Sequence, residues 1–205
     1  MDEYLAKGKR GEVFLRERGG KKVVVKKRNP DSDVDTIGNE ARFTALCNGY
    51  GIGPAFISYD AEKGELVREY VRGTELRHWL PTAQKEGIRH VLLTVLDQCR
   101  TLDQLGINKL EMTRPWKHII VQKDGEPMLI DFERCTATDS PKNVTQFCQF
   151  LSGTNLTAKI AEKGLVIAST QLLELAKLYK RNMKLSKKRE NNSIYARMRA
   201  IISDA

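Results

Sequence analysis

Up to about residue 71, apolar and polar positions alternate in short runs, the period of half-buried strands. The segments 12–16 and 22–27 read as two such strands, with Gly19-Gly20 as the hairpin turn between them. A helix is expected from Asp35 or Thr36, either of which suits the N-cap, to about Cys47. Gly49, Gly51, Gly53 and Pro54 stop it, and strands follow at 55–60 and 65–71 around Glu62-Lys63-Gly64. Beyond residue 72 the rhythm turns helical. Gly73 and Thr74 open a short helix that ends before Pro81. Over 82–105, Ile88, Val91, Leu92, Val95, Leu96, Leu102 and Leu105 fall at helical spacing, and Gly106 closes the run. A loop then reaches Lys117, followed by a hairpin of 118–121 and 128–130 around Lys123-Asp124-Gly125-Glu126. Further helices are expected over 142–152, 164–182 and 191–203, and no internal repeat is visible. The fold class is therefore α+β: a β-rich part, 1–71, with one helix, and a mainly helical part, 72–205.

Composition narrows this picture in three ways. A chain of 205 residues can bury a core as one domain or as two small ones, and no apolar run approaches the ~18 residues of a membrane span. The start, Met1-Asp2-Glu3-Tyr4, lacks the basic and apolar stretches of a signal peptide, so a cytoplasmic protein without membrane contact is expected. Cys47, Cys99, Cys135 and Cys148 lie far apart with no CxxC pair, which reads as reduced, packed thiols. The net charge of +9 is unevenly placed: 177–199 holds nine Lys/Arg against Glu190, or +8, leaving +1 for the rest. That segment is either a solvated helical tail or a contact for RNA, a ribonucleoprotein or an acidic partner.

The candidate chemistry begins near the N-terminus. In Ala6-x-Gly8-x-x-Gly11-x-Val13, glycines without a Cβ allow backbone N–H groups to approach phosphate. Val23-Val24-Val25-Lys26 follows, an apolar strand ending in a point charge suited to phosphate oxygens. Glu40 lies inside the first predicted helix. Asp131 ends the apolar run Leu129-Ile130, where a carboxylate suits Mg²⁺, a cation that takes oxygen ligands. Between these, Lys109-x-Glu111-Met112 stands seven residues before His118, which precedes Ile119-Ile120-Val121. Glu111 is placed to accept or orient a hydroxyl proton, or to pair with Lys109 or Arg114. His118 is placed to ligate metal, to bind phosphate, or to pack at the start of a strand.

Taken in order, the glycine turn, Lys26, Glu40, Glu69-Tyr70-Val71-Arg72-Gly73, the carboxylate loop and Asp131-Phe132 resemble the protein-kinase-like superfamily. Leu-Val-Arg-Glu-Tyr, Lys-x-Glu-x-x-Arg-Pro-x-x-His, Ile-Asp-Phe-Glu-Arg and Pro-Lys-Asn-Val-Thr-Gln-Phe look like the small archaeal predicted serine/threonine kinases described as RIO-like. The resemblance spans roughly residues 4 to 155. It implies a two-lobed kinase-like fold with a small β-rich N-lobe and a reduced helical C-lobe, ATP and Mg²⁺ as cofactors, and phosphoryl transfer to a protein or small-molecule hydroxyl. It also implies roles. Lys26 would grip the α- and β-phosphates and Glu40 would hold Lys26. The Glu69 carbonyl and the Val71 N–H would read adenine, with Val13 and Val24 against the ring. Asp131 would hold Mg²⁺ with His118 as second ligand, and Glu111 would be the base or an orienting group. The departures from the pattern are the missing His-Arg-Asp, Glu133 in place of the glycine of Asp-Phe-Gly, and only eight residues between Phe132 and Pro141. They leave open a pseudokinase scaffold, or an ATPase switch acting on RNA or a ribonucleoprotein.

Overall fold

A computed structural model describes residues 2–7, 11–29 and 35–205. The chain is α+β, with an antiparallel sheet in its N-terminal region and a helical C-terminal part, and seven α-helices among the described residues. Its contacts divide it into two compact units. The first holds residues 1–72 and 128–135; the second holds 73–127 and 136–205. Residues 128–135, which the sequence pattern assigns to the second part, belong to the first. The reason is side-chain contact: Asp131 reaches Lys26, and Phe132 packs on Gly53.

The first unit is a five-stranded antiparallel sheet in the order β1 (Glu3–Lys7), β2 (Gly11–Arg18), β3 (Lys21–Arg28), β5 (Glu65–Glu69), β4 (Phe56–Asp60), with helix α1 (Thr36–Asn48) packed on it. β1 is a strand the alternation pattern does not predict; it pairs with β2 through Tyr4↔Phe14 and Ala6↔Val13. Gly19 and Gly20 take φ 57° and 73°, the left-handed pair that a tight two-residue hairpin needs. Register sorts the side chains into two faces, because paired residues share a side and alternate residues oppose. Val13, Val24 and Lys26 fall on the face that carries α1, where Ile37 and Ala41 pack against Leu66. Phe14, Val23, Val25 and Val67 pack on the opposite face. Asp35 caps α1 by accepting the Gly38 N–H at 2.8 Å. At the far end, Asn48 donates to the carbonyls of Ile52, Gly53 and Pro54 and accepts from Phe56 N–H, which pins the glycine-rich exit.

The second unit is built on α3 (Lys85–Gln104), whose buried Ile88, Val91, Leu92, Val95, Leu96 and Leu102 are the expected stripe. Against it lie α4 (Asn143–Leu151) and α7 (Lys188–Ser203), and α6 (Ser169–Lys184) packs on both of these. Gly73 and Thr74 form a short strand, β6 (Gly73–Glu75), rather than a helix start. It pairs with β8 (Ile119–Gln122), and a Cβ on Gly73 would sit 2.4 Å from the Val121 carbonyl. The short helix α2 (Leu76–Trp79) follows β6. After β8 the chain turns at Gly125 into β9 (Pro127–Leu129). The expected loop after Gly106 is also more ordered than a loop. β7 (Ile107–Asn108) pairs with β10 (Thr136–Ala137), and two 3-10 turns cover Leu110–Thr113 and Pro115–Lys117. The expected helix over 164–182 begins later, at Ser169, because Gly164 takes φ 76° and ends a helix the pattern misses, α5 (Thr154–Ala161). With two buried apolar residues, Leu156 and Ile160, α5 is too short to announce a period.

All four cysteines are buried, and none is in a disulfide. Burial pushes Cys148 up to about 12 and Cys99 well above the ordinary thiol range, so both stay protonated and unreactive. No helix among the described residues is long and apolar enough to cross a membrane.

Gly53 offers a direct test of the 128–135 docking. Its φ is 82°, and an added Cβ would lie 2.7 Å from the fully buried Phe132 ring. Gly53→Ala should cost about 3 kcal/mol, summing left-handed strain and displacement of the ring. A urea midpoint unchanged from wild type would show that Phe132 does not pack there.

Candidate functional site

In the first unit, β3, α1 and the turn after Ile130 bring three charged side chains together. Lys26 emerges from the α1 face of β3, and Glu40 lies one turn inside α1. The Lys26 Nζ is 2.6 Å from Glu40 Oε2 and 3.4 Å from Asp131 Oδ1. Glu40 has no exposure at all. A carboxylate shut off from water needs compensating charge, which Lys26 supplies directly. Arg68, on β5, adds a second cation at 3.9 Å from Glu40 Oε1. Burial pulls the Arg68 guanidinium down from its ordinary value, with Glu40 foremost among the acids opposing that.

Asn39, the neighbour of Glu40, extends the same grip. Its side-chain N–H₂ donates to the carbonyls of Glu133 at 2.8 Å and Cys135 at 3.0 Å. Two consecutive α1 residues therefore hold β3 and the 131–135 turn. Asp131 itself takes φ 66°. That left-handed conformation is uncommon outside glycine, although Asp tolerates it better than most residues. Strain of this kind concentrates at working sites. The glycine expected at position 133 is not needed, because the positive φ of this turn falls on Asp131.

One carboxylate oxygen from each of Glu40, Asp131 and Glu133 lies within 4.8 Å of the others. Such a group of hard oxygen donors suits Mg²⁺. Lys26 engages two of the three, Glu40 at 2.6 Å and Asp131 at 3.4 Å. Glu133 is a ligand candidate that the sequence motif passes over, since the motif has glycine at that position.

The remaining expected residues divide as follows. Val13 and Val24 share the Lys26 face, and Val24 is buried. Gly11 opens β2, and a Cβ there would meet the Lys27 carbonyl at 2.3 Å, so close strand approach alone requires glycine. Ala6 lies in β1, while Gly8 lies outside the described residues. Glu69 ends β5. Its carbonyl, expected to face adenine, accepts from Arg68 Nη1 at 3.1 Å. Val71 follows just before the boundary of the unit, half-buried.

Glu111 and His118 belong to the second unit. Glu111 sits in the first 3-10 turn, 3.1 Å from the Nζ of Lys109, a lysine with no exposure. Lys109 is one of the two partners open to Glu111 in the sequence, and the fold forms that pair. His118 follows the second 3-10 turn, its backbone N–H bonded to the Pro115 carbonyl at 2.9 Å.

A buried polar network holds this loop. Asn143 at the start of α4 accepts from the Lys109 N–H and donates to the Ile107 carbonyl and to Asp103. Asp103 also accepts the N–H groups of Asn143 and Val144. Asn108 accepts the Lys142 N–H at 2.9 Å. Asp103, Asn108 and Asn143 are positioning residues that single-residue reasoning misses. The available signal was three polar residues inside otherwise apolar, periodic segments.

The chain matches no protein-family model and is significantly similar in sequence to no curated protein.

Burial pushes the Asp103 carboxyl up from 3.8 to about 6, against hydrogen bonds from Asn143, Val144 and Tyr179 that pull it down. The folded protein thus holds this proton more tightly than the unfolded chain. The resulting stability is full below about pH 4 and is lost as pH rises through about 6, a change of about 3 kcal/mol. Urea midpoints measured from pH 4 to 7 should fall in wild type relative to Asp103→Asn. Parallel profiles would show that the carboxyl titrates normally.

Proposed function

We propose that the protein is an ATP-dependent phosphotransferase with a two-lobed, protein-kinase-like fold, of the atypical RIO-like serine/threonine type. The observation that carries this reading is the buried Lys26–Glu40 pair with Asp131 beside it. Phosphoryl transfer asks little covalent chemistry of the protein; it needs charge held in place. Lys26 meets that need. Glu40 fixes its ammonium group, and the fixed positive charge neutralises the α- and β-phosphate oxygens. Val13 and Val24 supply the apolar wall on the same face for the adenine ring. Asp131 would hold Mg²⁺, with Glu133 as a further ligand. The bound Mg²⁺ would supply the additional neutralisation of phosphate charge that one lysine cannot. In the second unit Glu111 orients the acceptor hydroxyl and takes its proton, and Lys109 balances the carboxylate's charge. The Asn143 network keeps the backbone of that loop in one conformation.

A second reading, a nucleotide-binding module without transfer, is favoured by the Lys109–Glu111 ion pair, which ties up the carboxylate expected to act as base.

Both readings predict that ATP with Mg²⁺ raises the melting temperature. Only the first predicts ADP formation. Lys26→Ala should lower turnover by roughly 100-fold or more. It should also destabilise by about 3 kcal/mol, because Glu40 is left buried without its main partner. Asp131 is partly exposed, so Asp131→Asn should lose turnover while its melting temperature without ligand stays near wild type. Calorimetric binding and coupled ADP release check these outcomes. Wild-type protein that neither binds ATP nor forms ADP would overturn both readings.

A further inference from the structure

The basic run 177–199 lies on α6, the turn after it and α7, all in the second unit. On α6, Lys177, Lys180, Arg181 and Lys184 follow the i, i+3, i+4, i+7 spacing of one helix side. Leu172, Leu175, Ala176 and Tyr179 are buried on the other. The one ion pair of the whole run among the described residues is Arg199 with Asp97. Among the described residues, the four α6 cations have no carboxylate within ion-pair distance, and neither do Lys187, Lys188 and Arg189. Helix electrostatics do not account for them. A helix C-terminus favours cations, but that covers only Arg181 and Lys184 in the last turn of α6. Lys187, Lys188 and Arg189 lie at the start of α7, the end where the dipole disfavours positive charge.

Two hollows flank this row. One, of about 380 Å³, is lined by Thr136, Thr138, Ser140 and Lys142 together with Lys180 and Lys184. The other, of about 400 Å³, lies at the turn from α6 to α7 and is lined by Arg100, Asn182, Lys187, Lys188 and Asn192. Arg100 is held there by Asn192 and by the Tyr195 ring, 4.1 Å away. Cations are thus interleaved with hydroxyls and amides, the mixture that contacts phosphate and sugar oxygens. The aromatic lining of the second hollow, Tyr179, is 2% exposed and gives bases nothing to stack on.

We propose that this face binds the phosphodiester backbone of a double-stranded or folded nucleic acid. Binding tracks the backbone without reading bases, and so depends on charge rather than sequence. The surface lies wholly in the second unit and does not depend on phosphoryl transfer.

Fluorescence anisotropy of the full chain with a labelled duplex of about 20 base pairs, as RNA and as DNA of one sequence, tests this across a salt series. The expected result is an affinity that falls linearly in log–log form with salt. In Lys180→Gln/Lys184→Gln the slope should shrink by about 2, and binding at about 50 mM salt should weaken roughly tenfold or more. Lys21→Gln/Lys22→Gln removes the same charge from the exposed first hairpin and should change little. Both doubles alter exposed or half-exposed lysines, and melting curves matching wild type will show that they fold. Equal affinity for both duplexes supports recognition of the backbone alone; tighter RNA binding supports an added contact to the 2′-hydroxyl. Absent binding, equal losses in the two doubles, or binding of poly-glutamate but of neither duplex would overturn the proposal.

Discussion

Glu40 has no access to water, and its charge therefore has to be answered from within the fold. Lys26 answers it at 2.6 Å, with Arg68 more distant. Removing one partner of such a buried pair costs about 3–5 kcal/mol, because the other charge is then left buried and unanswered. The consequence extends beyond the pair. Once α1 is anchored at Glu40, Asn39 is positioned to hold the carbonyls of Glu133 and Cys135. That places Asp131 beside Lys26 although 105 residues separate them in the chain. One buried carboxylate thereby sets the geometry of every charged group proposed to meet nucleotide in the first unit.

The second unit solves a similar problem with amides. The backbone around Lys109 and Glu111 passes from a two-residue strand into a 3-10 turn, and N–H and C=O groups at such short elements need further partners. Asn143 provides them, backed by the buried Asp103. Here the compensation is by hydrogen bonds more than by opposite charge, which is why the Asp103 carboxyl sits near 6 and titrates in a mild range. A loop proposed to position an acceptor hydroxyl is held by helix residues on both sides of it, from α3 and from α4. Precision of this kind does not require a long structured segment after Phe132, which this chain lacks.

Much of this was legible in the residues. The 19–20 hairpin, α1 with its Asp35 cap and the α3 stripe all appear where alternation, capping and helical period place them. The order of Lys26, Glu40 and Asp131 along the chain suggested that they meet. Less legible were features whose cause is distant in sequence. β1 exists because β2 offers it an edge, and α5 is too short to show a period. Gly11 reads as a phosphate-loop glycine, yet the approach of the Lys27 carbonyl demands glycine there in any case. The motif drew attention to the missing glycine at 133, while the backbone takes its left-handed turn at Asp131.

By itself the sequence determined the elements and the charge inventory, because period, caps, turns and net charge are set by neighbours along the chain. It therefore specified an α+β protein, a lysine strand, a glutamate helix, an aspartate turn and a concentrated basic segment. Tertiary structure decided which of these meet and which remain without partners. It chose Lys109 for Glu111, recruited Asn39 and Asn143 as clamps, and moved 128–135 into the first unit. Among the described residues it also left the α6 cations without carboxylates. Those outcomes depend on burial and on contacts between residues tens of positions apart, where the cost of an unanswered charge or amide selects the partner.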